Sequence, residues 1–91
     1  QINMNNYEID KLYTYICLEF KNYRTSDNVN KKQEEVAFDL NITASYLSKI
    51  ENGKIKKLSL YYFMVLASYY DLNLEKIIEN AKKRMKLDEE L

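Results

Sequence analysis

KQEEVAFDLNITASYLSKIENG, residues Lys32 to Gly53, reads as one helix, a tight bend and a second helix. Val36, Ala37 and Leu40 sit at i, i+1 and i+4, a narrow apolar stripe on the first helix. Asn41-Ile42-Thr43 then breaks the pattern. Asparagine tolerates a left-handed backbone, and Thr43 is a good N-cap for the second helix. On that helix Leu47 and Ile50 point inward at i and i+3, which leaves Ala44, Ser45, Ser48 and Lys49 facing out. Asn52-Gly53 stops it, because glycine takes the left-handed position past a helix end without a Cβ penalty. A short helix with a small, polar and basic outer face is shaped to enter a DNA major groove.

Upstream, Ile9, Leu12, Tyr13, Ile16, Phe20 and Tyr23 recur at three- and four-residue intervals, which predicts a first helix over about Tyr7 to Arg24 with a wide core-facing stripe. Cys17 lies beside that stripe and reads as a small, partly buried hydrophobe, since the chain has no histidine or second cysteine to make it a ligand or nucleophile. Thr25 to Asn30 is a polar loop with Val29 dropped into the core. Asn30 is a candidate cap for the next helix, with Gln33 at N3 closing a capping box.

Downstream, Lys54-Ile55-Lys56-Lys57 reads as a loop, and Leu58 or Leu60 returns the chain to the core. Ser59 is the expected N-cap of a fourth helix running to about Tyr70, with Leu60, Phe63, Met64, Leu66 and Ala67 on its inner face. Tyr61, Tyr62, Tyr69 and Tyr70 make this helix aromatic. No basic groove interleaves with them, so they read as core edge or subunit interface before a base-stacking platform. A last helix from about Leu74 carries Ile77, Ile78, Ala81 and Met85 on one side. It ends in Lys82-Lys83-Arg84 and Asp88-Glu89-Glu90, which reads as a solvated, fraying end, or else as the completion of a dimer.

Composition bounds these readings. A chain of 91 residues with no proline, one glycine and no strand-like alternation is one small all-helical domain. Fourteen basic residues against 14 acidic ones give zero net charge, which taken alone argues against nucleic acid. The charge is polarised, however: between Thr43 and Lys57, Lys49, Lys54, Lys56 and Lys57 stand against Glu51 alone. Catalysis finds no support, since histidine, a glycine-rich phosphate loop and paired metal-ligand motifs are all missing, and neither cofactor nor metal is expected. Glu34 and Glu35, adjacent on a helix, read as first-turn acids that complement the helix dipole. No apolar run approaches the ~20 residues of a membrane span. The polar start, with Met4 a candidate natural initiator, and the lone cysteine fit a cytoplasmic protein.

The same residues carry a resemblance. Gln33-Glu34-Glu35-Val36-Ala37, Asn41-Ile42-Thr43 and Tyr46-Leu47-Ser48-Lys49-Ile50-Glu51-Asn52-Gly53-Lys54 resemble the Cro/repressor-type, or XRE, helix-turn-helix family. The match continues through Ser59-Leu60, Ala67 and Leu72 to Ile78 in one gap-free register. It implies a compact five-helix, lambda-repressor-like domain over 7–80, after a flexible N-terminal segment at 1–6 and before a helical extension or charged tail at 81–91. It also implies a regulator of transcription that binds double-stranded DNA. The expected form is a repressor acting as a homodimer on a pseudo-palindromic operator, with half-sites about 10 base pairs apart or a multiple of that.

Within that frame Ala44 is expected to touch a thymine methyl, Ser45 a base edge or phosphate, and Lys49 the O6 and N7 of a guanine. Thr43, Tyr46 and Ser48 are expected to grip the sugar-phosphate backbone. The resemblance places Gln33 at the very start of its helix with its amide on a phosphate, in competition with the capping-box reading. It makes Asn52 and Lys54 a second phosphate clamp, which Lys56 extends. It pairs Glu51 with a base on the first helix, Arg24 or failing that Lys21. Asp71 replaces the family's glycine, so a looser turn is expected there. Tyr69, Tyr70, Leu72, Ile77, Ile78 and Met85 are the candidate dimer interface. An antitoxin-like module that binds a regulatory protein partner, with DNA binding secondary, is the alternative.

Overall fold

Asn5 starts the first helix. Its side chain accepts the Glu8 N–H at 2.8 Å, and the Glu8 carboxylate accepts the Asn5 N–H at 3.2 Å, a reciprocal cap. From there α1 runs Asn6–Arg24 in a computed structural model that describes residues 3–91. The first two positions of the N-terminal segment expected to be flexible lie outside the described residues. The remaining helices are α2 Gln33–Leu40, α3 Ala44–Glu51, α4 Leu60–Tyr69 and α5 Leu74–Glu89. Among the described residues there is no strand. This is the all-α, five-helix architecture that the resemblance implies.

α5 lies antiparallel along α1, and charged pairs mark its register. Arg84 binds Glu19 at 2.8 Å and Lys11 binds Glu89 at 3.2 Å, while the Tyr15 hydroxyl donates to Asp88. The expected fraying end is therefore corrected. Arg84, Asp88 and Glu89 find partners on the first helix, Lys83 pairs with Glu79 within α5, and α5 stays helical through Glu89, with its charged side chains exposed as expected.

The core gathers Cys17 and Phe20 of α1, Val36 of α2, Leu47 and Ile50 of α3 and Leu66 of α4, none more than 1% exposed. Cys17 thus stands in the middle of the core instead of at its edge, and burial pushes its thiol up to about 11. Three residues expected inside point out: Ile9 on the first turns of α1, and Leu60 and Met64 on α4. On α4 the core takes Phe63, Leu66 and Ala67, a stripe that leaves Met64 to its side, while Leu60, the first residue of the helix, stays exposed at the edge of that stripe.

Helix ends decide how the elements meet. Asn41 closes α2 in the left-handed region at φ 58°, so that the Ile42 N–H reaches the Ala37 carbonyl at 3.0 Å. Asp71 closes α4 in the same way at φ 56°, with the Leu72 N–H on the Ala67 carbonyl at 2.7 Å. The looser turn expected of a non-glycine there is not found, because a short polar side chain tolerates this backbone. The Asn30 capping box is also corrected. Asn30 is left-handed at φ 48°, Lys32 is the cap residue, and the Glu35 carboxylate holds the Lys32 N–H at 3.1 Å.

Candidate nucleic-acid interface

α3 is fixed from behind. Thr43 caps it by accepting the Tyr46 N–H at 3.0 Å, and Leu47 and Ile50 anchor its inner side. At its end the Glu51 carboxylate accepts two hydrogen bonds from Arg24 of α1, at 2.7 and 2.9 Å. Gln33, the first residue of α2, donates to the same carboxylate at 3.0 Å, and Arg24 also donates to the Lys31 carbonyl at 2.9 Å. Glu51 is 1% exposed and Arg24 6%. The hydrogen bonds it donates to Glu51 hold the guanidinium above its usual pKa. The first of the two expected partners, Arg24, is therefore the one used, and the one acid of this basic stretch is neutralised inside the protein.

The turn after α3 explains the single glycine. Gly53 has φ +70°, and a Cβ there would lie 3.0 Å from the Thr14 hydroxyl and 3.2 Å from its Cα. Only glycine satisfies both the backbone and the close approach of α1. Beyond it, Tyr13 of α1 holds the lysine loop at two points. Its hydroxyl donates to the Ile55 carbonyl at 2.6 Å and accepts the Leu58 N–H at 3.0 Å. Lys56 and Lys57 lie between those two bonds, with Lys57 left-handed at φ 57°.

The expected contact residues separate into two groups. Ser45 and Lys49 are exposed and lie one helical turn apart, so they share a face. Lys54, Lys56 and Lys57 are exposed on the adjoining loop. Among the described residues, neither these three lysines nor Lys49 takes part in an ion pair. The other group is partly occupied. Ala44 is half-buried and packs against the core, because the chain enters α3 there directly from the turn; it does not stand clear as expected. Asn52 folds back and donates to the Ser48 carbonyl at 2.9 Å, so its side chain braces the end of α3. Tyr46 is 38% exposed, and Gln33 has spent one amide hydrogen on Glu51. Thr43 is exposed, with its oxygen accepting the cap bond and its own proton still to donate.

The candidate dimer residues divide as well. Tyr70 and Ile77 belong to the core, which removes both from any surface contact. The Tyr70 ring meets Tyr23 edge-on at 5.7 Å and Tyr69 at 4.9 Å. Burial raises the pKa of its phenol. Tyr69 is half-buried, its hydroxyl donating to Asp39 at 2.6 Å and accepting from Lys31 at 3.0 Å. Leu72, Ile78 and Met85 are half-buried.

Two features escape the sequence patterns. Tyr13 reads as one more member of an apolar stripe, and only the fold brings its hydroxyl to residues 42 and 45 positions away. Phe38, 84% exposed on α2, belongs to no motif. Among the described residues no helix is long and apolar enough to cross a membrane. Compared with known proteins, the chain matches a helix-turn-helix family model over residues 20–77, from within α1 to within α5. No curated protein matches it.

Proposed function

The chain belongs to the helix-turn-helix family of Cro/repressor type, DNA-binding domains of transcription regulators, and from that premise we propose that it represses transcription as a homodimer on a pseudo-palindromic operator. One observation carries the reading. The burial of Glu51 against Arg24 leaves the recognition helix and the loop after it with only positive charge on their outer side. A chain of zero net charge thereby presents a locally basic face.

Each side chain has a task in this reading. Lys49 donates to the O6 and N7 of a guanine, and Ser45, one turn nearer the N-terminus, meets a neighbouring base edge or phosphate. Ala44, half-buried at the entry of the helix, contributes by being small enough to let α3 sit deep in the groove. Lys54 and Lys56 neutralise phosphates on one side of the groove, and the remaining amide hydrogen of Gln33 donates to a phosphate on the other. Thr43 and Tyr46 add hydroxyl donors to the backbone. Ser48 and Asn52 serve it by bracing the helix end from which Lys54 departs.

Selection of bound sequences from a random duplex library, at stated salt, tests this. Enrichment of inverted repeats with centres about 10 base pairs apart, or a multiple, is the expected result. Affinity should also fall steeply with salt, since each neutralised phosphate adds about 0.9 to the slope of log K against log salt. A pool that stays random, with binding indifferent to salt, would overturn the reading.

A further inference from the structure

α4, LYYFMVLASY, contains no charged residue. Its inner stripe, Phe63, Leu66 and Ala67, continues into Tyr70 at i, i+3, i+4 and i+7, and the core covers it. Tyr61, Met64, Val65 and Ser68 repeat the same spacing on the other side. There Tyr61 is 75% exposed and Met64 55%, with Leu60 beside them at 66%. A helix that is apolar on both sides is ordinarily covered on both. The described residues cover one. The outer ridge also runs between two shallow hollows, one floored by Leu40 and Tyr69, the other by Leu72 and Leu74.

We propose that a second copy of this chain covers this face, with α4 crossing the partner's α4 about a two-fold axis. The proposal rests on the dimer reading above and fixes which surface serves it, moving the contact from the predicted set at the end of α4 and along α5 to the outer ridge of α4. Charge, shape and area select a second copy as the occupant. A two-fold axis brings the residues nearest to it against their own counterparts, so a charged side chain there would face a like charge. α4 has none to bring together, whereas the exposed residues of α5 include Glu75, Lys76, Glu79, Lys82, Lys83 and Lys86, with Glu79 already paired to Lys76 and Lys83. A ridge flanked by hollows fits the hollow of an identical helix, as in ridge-into-groove packing. The bare apolar area of the ridge and its flanks is on the order of 600 Å² when large side chains are taken at 150–250 Å² each. That falls somewhat below the ~800 Å² per partner of a standard interface, which suits association at micromolar concentration, strengthened when DNA holds two copies side by side.

Sedimentation equilibrium across the micromolar range, with Tyr61→Glu and Met64→Glu beside the unaltered chain, tests it. Both positions are bare, so thermal melts should show the fold intact. The unaltered chain is expected to pass from monomer to dimer. Each variant should weaken the dimer at least about tenfold, and lose cooperative binding to an inverted repeat while keeping the unaltered affinity for a single half-site. Lys82→Glu, exposed on α5, should dimerise as the unaltered chain does. Two results would overturn the proposal, and they are distinct. Variants that dimerise normally place the interface elsewhere and leave the repressor reading standing. A chain that remains monomeric and fills half-sites independently removes the homodimer from both readings, as would a face that is occupied only by a different protein.

Discussion

α3 and α4 are neighbours in the chain and are 8 and 10 residues long, yet they meet the interior and the solvent in opposite ways. α3 is held by polar hardware: a capping threonine, a bidentate ion pair, a glutamine on the same carboxylate and a glycine against α1. Its solvent side is small, polar and basic. α4 has polar ties only at its ends, a Ser59 cap and the Tyr69 hydroxyl on Asp39 and Lys31; its inner side is held by apolar burial, and much of its solvent side is apolar too. The difference teaches that holding a helix in place and furnishing its outer face are separate tasks. Polar anchorage at the back of α3 frees its front for nucleic acid, and the uncharged front of α4 suits another protein surface.

The hardest blow to this contrast falls on the ion pair. Arg24→Met strands Glu51 inside the core, and breaking a buried pair from one side costs about 3–5 kcal/mol. Denaturant unfolding should show a loss of that size. A loss of only a few tenths would mean that α3 is held by Leu47 and Ile50 alone.

High pH strikes the other side of the comparison. The Cys17 thiol, raised from 9.0 to about 11 by burial, keeps its proton in the folded chain when the unfolded chain has already lost it. Its contribution is complete below pH 9 and disappears between pH 9 and about 11. At about 1.4 kcal/mol per unit, the decline reaches at most about 3 kcal/mol. Arg24, raised further by Glu51, stays charged across that window. Stability measured against pH should therefore fall more steeply in the unaltered chain than in Cys17→Ala; parallel curves would refute the assignment.

Gly53→Ala comes next. The left-handed backbone and the 3.0 Å approach to Thr14 together should cost about 1–3 kcal/mol. Thermal denaturation reads it directly, and an unchanged melting temperature would show that α1 gives way easily. The smallest effect is expected from Tyr13→Phe, which removes two hydrogen bonds from the lysine loop. Stability should fall by about 1 kcal/mol. The salt dependence of DNA binding should also become shallower as Lys56 and Lys57 lose their fixed position, with base preference unchanged. An altered base preference would instead tie Tyr13 to α3 itself.

Legibility in the sequence divides along the same line. Asn41, Thr43 and Gly53 announce the helix-turn-helix because caps and left-handed turns are local chemistry, legible in a few consecutive letters. The pairing of Glu51 with Arg24, 27 positions apart, comes through the family resemblance. α4 is opaque for a physical reason. On a helix apolar all round, periodicity has no phase, so Leu60 and Met64 are as eligible for the core as Phe63 and Leu66. The same ambiguity sends Tyr70 to an interface when it belongs to the core, and on α5 adjacent Ile77 and Ile78 cannot be told apart until the fold buries the first. The tail is equally opaque, because Arg84 and Glu89 find their partners 65 and 78 positions away on α1, beyond any local pattern. Among the contact residues, exposure of Ser45 and Lys49 is legible from helical spacing. The inward turn of Ala44 depends on how α3 leaves the bend.

The central claim, that the outer face of α3 reads base edges, is tested most directly by Lys49→Ala. Its affinity should be measured by fluorescence anisotropy at fixed salt, on the best selected duplex and on one with the contacted guanine replaced. Removal of a bidentate guanine contact should cost about 1–3 kcal/mol on the selected duplex, with little further loss when the guanine is changed. If Lys49→Ala instead discriminates between the two duplexes as well as the unaltered chain does, α3 does not read that base and the account of its outer face is wrong.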